Sequence, residues 1–100
     1  MLIFNTTFHV EDAHNSHFLI WIQEHYIPQI QQHGILKNPR LCRVLSHRDE
    51  GQSYAIHWEV EDSKALHRWH SELGQQLNDE LSRLFQNHVV GFPTLMEVVE

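Results

Sequence analysis

Val10-Glu11-Asp12 and Val60-Glu61-Asp62 are the same triplet, and each stands where an alternating apolar pattern gives way to a helical one. A chain that writes the same strand-to-helix junction twice in 100 residues is built from two similar halves. Before the first triplet, Phe4, Thr6, Phe8 and Val10 point to one side of an extended chain and Asn5, Thr7, His9 and Glu11 to the other. Before the second, Ser53 to Val60 alternates in the same way.

After each triplet the period changes. Asp12 is placed to cap a helix running from Ala13 to about His33, with Phe18, Leu19, Ile22, Tyr26 and Ile30 at helical spacing and Gly34 as its stop. Pro28 lacks an amide donor and should kink that helix or split off its last turn. The second helix spans Ser63 to about Asn87, with Leu66, Trp69, Leu73, Leu77, Leu81 and Leu84 as its apolar stripe. Between the halves, a Pro-containing turn leads into a strand from about Arg40 to His47, and the polar run RDEGQ, with Gly51, makes a hairpin loop. VVGFPTLMEVVE is the last strand, and Pro93 marks it as an edge strand or the site of a bulge.

The order strand, helix, strand, strand, helix, strand predicts a ferredoxin-like α+β fold, a βαββαβ chain folded as one domain over residues 1–100. Its four-stranded antiparallel sheet carries both helices on one face. Right-handed crossovers place the first and third strands side by side at the centre. Phe4, Phe8 and Val10 then share the helix-covered face with Ile56, Trp58 and Val60. Asn5, Thr7 and His9 share the open face with Ser53, Ala55, His57 and Glu59. Leu41, Leu45 and Leu95 add apolar groups that a solvated face would not need, which predicts that a second copy covers it.

The segments FNTTFHVED, NPRLCRVL, SYAIHWEVED and VVGFPTLMEVV cover nearly the whole chain and resemble a family of small bacterial proteins known only as a domain of unknown function. That family is similar to the dimeric α/β barrel superfamily, in which two ferredoxin-like subunits pack their sheets together. The resemblance implies a bacterial, cytoplasmic homodimer and supplies no catalytic residue. Haem-degrading members of the superfamily carry an asparagine on the first strand and a tryptophan and histidine on the second helix. Asn5 and Trp69 stand at comparable places, but no histidine follows Trp69 at the required distance, since the stretch reads HSELGQQLNDE.

Composition narrows the function. Thirteen acidic residues against seven basic ones give a formal charge of −6, which disfavours nucleic acid and anionic membrane surfaces. An RNA-binding sheet of this strand order would present stacking aromatics where this chain has Asn5, Thr7, His9, Ala55 and His57. Cys42 is the only cysteine, so no internal disulfide forms and a reducing compartment is expected. The start MLIFNTTF has no basic flank, and no segment reaches the roughly 20 apolar residues of a membrane span. Ten scattered histidines make the net charge responsive to mild acidification.

The candidate ligand-binding set is Asn5, Thr7, His9, His57 and Glu59, joined by Arg43 if that residue shares the face. A carboxylate such as Glu59 could orient an imidazole as a base or as a ligand contact, or the same groups could satisfy one another in a dimer interface. His14 with His17, and His67 with His70, have helical i,i+3 spacing but no third or fourth ligand nearby, so no metal and no cofactor is expected. Cys42 reads as a small buried apolar residue rather than a nucleophile. Trp21, Trp58 and Trp69, with the leucines of the second helix, are core residues that could also wall an apolar ligand site. Phosphate-loop, Gly-x-Ser-x-Gly and His-Glu-x-x-His motifs are absent. The expectation is a noncatalytic small-molecule-binding or accessory dimer. The alternative is a cofactor-independent monooxygenase or isomerase acting on a small aromatic or carbonyl compound, with His9 or His57 as base.

Overall fold

The computed structural model describes residues 1–45 and 50–100. Four strands, β1 (Leu2–Val10), β2 (Lys37–Arg43), β3 (Gln52–Val60) and β4 (Val89–Glu97), form one antiparallel sheet in the order β2-β3-β1-β4. Helix α1 (residues 12–33) follows β1 and α2 (residues 63–88) follows β3. This is the ferredoxin-like βαββαβ topology, with β1 and β3 central as expected. β1 and β3 run in register from Leu2 opposite Val60 to Val10 opposite Gln52, so Phe4, Phe8 and Val10 share the helix-covered face with Tyr54, Ile56, Trp58 and Val60.

The two helices have the same plan, and it explains how Pro28 is tolerated. In α1 a first turn (Asp12–His14) leads into seven α residues ending at Trp21, a five-residue π turn Ile22–Tyr26, and a second α segment Ile27–His33. In α2 seven α residues again end at a tryptophan, Trp69, before a π turn His70–Gly74 and the α segment Gln75–Phe85. Besides Trp21, the buried residues of α1, Phe18, Ile22, Tyr26 and Ile30, recur every fourth position. In a straight α-helix such a repeat drifts by about 40° per step, because each residue turns about 100°. A single i→i+5 turn takes up the excess and keeps all four on the sheet. Its bond runs from the Ile27 N–H to the Ile22 carbonyl, just ahead of Pro28, so the helix continues past the proline to His33.

The same spacing corrects the stripe of α2. Trp69, Leu77, Leu81 and Phe85 are buried, whereas Leu84 is 43% exposed. Phe85 continues the four-residue repeat in its place.

The ends of the elements hold further departures. Asp62 caps α2, its Oδ1 accepting from the Ala65 N–H at 2.8 Å. Asp12 makes no such bond and lies inside the first turn of α1. Gly34, with φ +92°, ends α1 in the left-handed conformation. β2 begins earlier than expected, at Lys37, because Asn38 (φ +54°) creates an irregularity between Lys37 and Arg40 that accommodates Pro39. His47, the expected end of that strand, and Arg48 and Asp49 of the expected hairpin loop lie outside the described residues. β4 pairs with β1 alone, which makes it the edge strand that Pro93 requires.

Candidate functional site

The open face of the sheet is laid out in rows. Arg40, His57, Asn5 and Thr94 stand side by side across the four strands, and Cys42, Ala55, Thr7 and Phe92 form the next row. Ser53, His9 and Val90 follow on one side of these, Glu59, Ile3 and Met96 on the other. Asn5, Thr7, His9, His57 and Glu59 therefore share one face.

Arg43 does not join them. It pairs with Tyr54, and its guanidinium carbon lies 5.8 Å from the Tyr54 ring centroid on the helix side. Arg40, opposite His57, and Lys37, opposite Glu59, are the cations that the β2 register places on the open face. Leu41, opposite Ile56, and Leu95, opposite Phe4, also turn to the helix side, and Leu45 lies beyond the end of β2. Ile3, Val90, Phe92 and Met96 instead make the open face apolar, with Phe92 60% exposed.

The contacts on this face are those of a packed surface. The Asn5 Nδ2 donates to Thr7 Oγ1 at 3.1 Å, while its Oδ1 is buried without a partner. His9 Nδ1 lies 3.3 Å from Ser53 Oγ, and its ring abuts Gly51, where a Cβ would come within 2.8 Å of the imidazole. Glu59 accepts from the Asn38 amide at 3.0 Å. Among the described residues no imidazole hydrogen-bonds Glu59, so the carboxylate–histidine pair that would activate His57 is not formed.

Asn5 and Trp69 lie on opposite sides of the sheet, Trp69 packing on Phe4 at 5.6 Å. The haem-degrading arrangement is therefore not assembled.

A second concavity lies on the helix side, between α2 and strands β1 and β4. This cleft of about 660 Å³ is walled by Phe4, Phe8, Leu66, Trp69, Leu81 and Pro93. It exists because Thr6, Gly91 and Pro93 put little bulk on the sheet beneath α2. Thr6 and Tyr26 contribute hydroxyls, and His67 and His70 contribute imidazoles from α2. No lining residue is an aspartate, glutamate, lysine or arginine. Burial pushes the Tyr26 phenol up from its ordinary pKa, so it stays protonated and able to donate. The Trp69 Nε1–H is buried and unpartnered.

The tryptophan and leucine pattern had marked this wall as core that could also wall an apolar ligand site. The hydroxyl of Thr6 carried no sequence signal, since a threonine in an alternating strand reads as filler.

Three further histidines act as struts. His25 pairs with Glu80, which also accepts from the Trp21 Nε1–H at 2.9 Å. His33 pairs with Glu72 at 2.9 Å and His88 with Glu11 at 2.9 Å. The first two pairs tie α1 to α2. His14 stacks on His88 at 4.3 Å, and His17 packs on Phe85. Among the described residues no group of three or more His, Cys, Asp and Glu side chains is arranged to hold a metal ion. Cys42 is half-buried on the open face. Among the described residues no helix is long and apolar enough to cross a membrane.

Residues 1–99 match the family model described as Domain of unknown function (DUF4286). The chain belongs to this family. Among solved structures, the DUF4286 chain is similar to a putative antibiotic biosynthesis monooxygenase from Deinococcus radiodurans (20% identity, all of this chain and 94% of that one, TM-score 0.74). It is similar also to a dimeric ferredoxin-like protein from an uncultured marine organism (15% identity, 99% of this chain and 95% of that one, TM-score 0.68). A third is SnoaB, a cofactor-independent oxygenase from Streptomyces nogalater (16% identity, 99% and 93%, TM-score 0.68). At these identities the likeness establishes the fold. No curated protein matches the DUF4286 chain.

Proposed function

We propose that this protein is a homodimer that binds a small, mostly apolar molecule in the cleft between α2 and the sheet, with the open sheet face as its subunit interface. The observation that carries the reading is the cleft itself, a space of about 660 Å³ lined by aromatic and aliphatic side chains with a few uncharged polar ones. Ligand sites are typically of this size and composition. Asn5, Thr7, His9, His57 and Glu59 belong, in this reading, to the interface. A second copy would supply the donor that the buried Asn5 Oδ1 lacks and would cover Ile3, Phe92 and Met96. The dimeric ferredoxin-like structure of the same fold supports this assignment. The protein acts in the reducing interior of a bacterial cell.

Native mass spectrometry of untagged protein tests both parts. A dimer that retains extra mass, or takes up naphthalene-sized probes, is the expected result. A monomer would remove the interface, and a dimer that takes up no probe in titration would remove the ligand site.

A second reading, a cofactor-independent oxygenase or isomerase, draws on the activity named for SnoaB. Its base would be His67 or His70, which line the cleft, because the sheet separates His9 and His57 from it. Dioxygen uptake with hydroxylated naphthalenes that is lost in His67→Ala and His70→Ala would favour this reading over simple binding.

A further inference from the structure

We infer that Gly74 is the specificity-determining position of the cleft: its missing side chain lets the Trp69 indole lie back against α2, and this sets the largest molecule the cleft admits. The inference rests on the reading of the cleft as a ligand site.

The backbone at Gly74 is ordinary helix, φ −59° and ψ −42°, so no conformational demand calls for glycine there. In that geometry a glycine weakens a helix relative to alanine. The demand is spatial. A Cβ on Gly74 would lie 2.6 Å from Trp69 Cζ3, 2.8 Å from Cη2 and 3.0 Å from Cε3. The π turn creates this contact, since its i→i+5 register carries residue 74 over residue 69.

The first helix shows the other solution. Tyr26 closes the π turn of α1 as Gly74 closes that of α2, and it too sits over the tryptophan five positions before it, with ring centroids 5.1 Å apart. Trp21 thus carries an aromatic cover, whereas Trp69 has an empty place for its benzo edge. On its sheet side Trp69 meets Phe4 at 5.6 Å. An indole driven off Gly74 therefore has the cleft as the free volume beside it, and moving there shortens the cleft from the α2 side.

The test compares wild type with Gly74→Ala and with the double variant Gly74→Ala/Trp69→Leu. The probes are N-phenyl-1-naphthylamine, followed by its fluorescence, and toluene, followed by amide shifts in NMR spectra. Wild type should bind both. Gly74→Ala should lose about tenfold or more in affinity for the naphthylamine, about 1.4 kcal/mol, and keep toluene within about threefold. It should also shift the Trp69 Nε1–H resonance in the absence of any probe. The double variant should regain the larger probe. Where Gly74→Ala alone does not fold, the double variant should fold, because the atoms in conflict belong to the indole.

Equal affinity of wild type and Gly74→Ala for the naphthylamine would overturn the inference, as would a double variant that fails to recover. A wild type that binds neither probe would instead remove the ligand-site reading, while the Trp69 resonance would still report the indole's displacement.

Discussion

Single residues carry different weights in places that look alike in the sequence. Asp12 and Asp62 stand in the same triplet, yet only Asp62 caps its helix. Asp62→Ala should cost about 1 kcal/mol in urea unfolding and Asp12→Ala less than about half of that, since an N-cap aspartate is worth about 0.5–2 kcal/mol. Equal losses would show that the two junctions are equivalent after all. Tyr26 gives a pH dependence with a definite sign. Its buried phenol holds its proton above the ordinary tyrosine value, so above about pH 10 the unfolded chain binds fewer protons than the folded one and stability falls as pH rises. The contribution is complete below that value and is lost upward from it at about 1.4 kcal/mol per pH unit. Tyr26→Phe should remove this component, seen as a shallower fall in stability between neutral pH and pH 11 than in wild type.

At the scale of elements, the four-residue repeat of the buried side chains is the ruling feature of both helices. It was legible in Phe18, Ile22, Tyr26 and Ile30, but a repeat of four fits α-helical spacing closely enough that the π turns were not foreseen. Their positions depend on what the helix packs against: the extra residue is inserted where the drift would otherwise carry the stripe off the sheet. The cost of missing it appears at the end of α2, where Leu84 and Phe85 compete for one core position. Phe85→Ala should cost about 3–5 kcal/mol and Leu84→Ala below about 1 kcal/mol, because only the first opens a cavity. Chemical denaturation of the two variants decides this, and a reversed order would place the phase of α2 as the sequence alone had it.

For the whole molecule, the decisive asymmetry lies between the two faces of the sheet. Among the described residues the helix face closes on seventeen buried apolar side chains, and the open face leaves Val90, Phe92 and Met96 in reach of solvent. Phe92→Asp should convert a dimer to a monomer in sedimentation analysis with the fold intact, since an unpaired charge at an apolar contact opposes association. A dimer that survives this change would mean that its contact lies elsewhere, at β4's edge or on the helices.

The sequence by itself determined the topology, the two central strands, and the split of β1 and β3 into a helix face and an open face. Alternation fixes a strand's faces and chirality fixes the crossovers, whereas Pro93 narrowed β4 to an edge strand or a bulge. Only the tertiary structure decided that Arg40 rather than Arg43 joins Asn5 and His57, and that a cleft stands open beside Trp69. These depend on a one-residue irregularity in β2 and on where small residues of different elements meet. A single left-handed residue, Asn38, reverses the facing of the β2 residues that follow it. The tryptophans and leucines allowed an apolar site between α2 and the sheet, and packing alone decided that space stands open there.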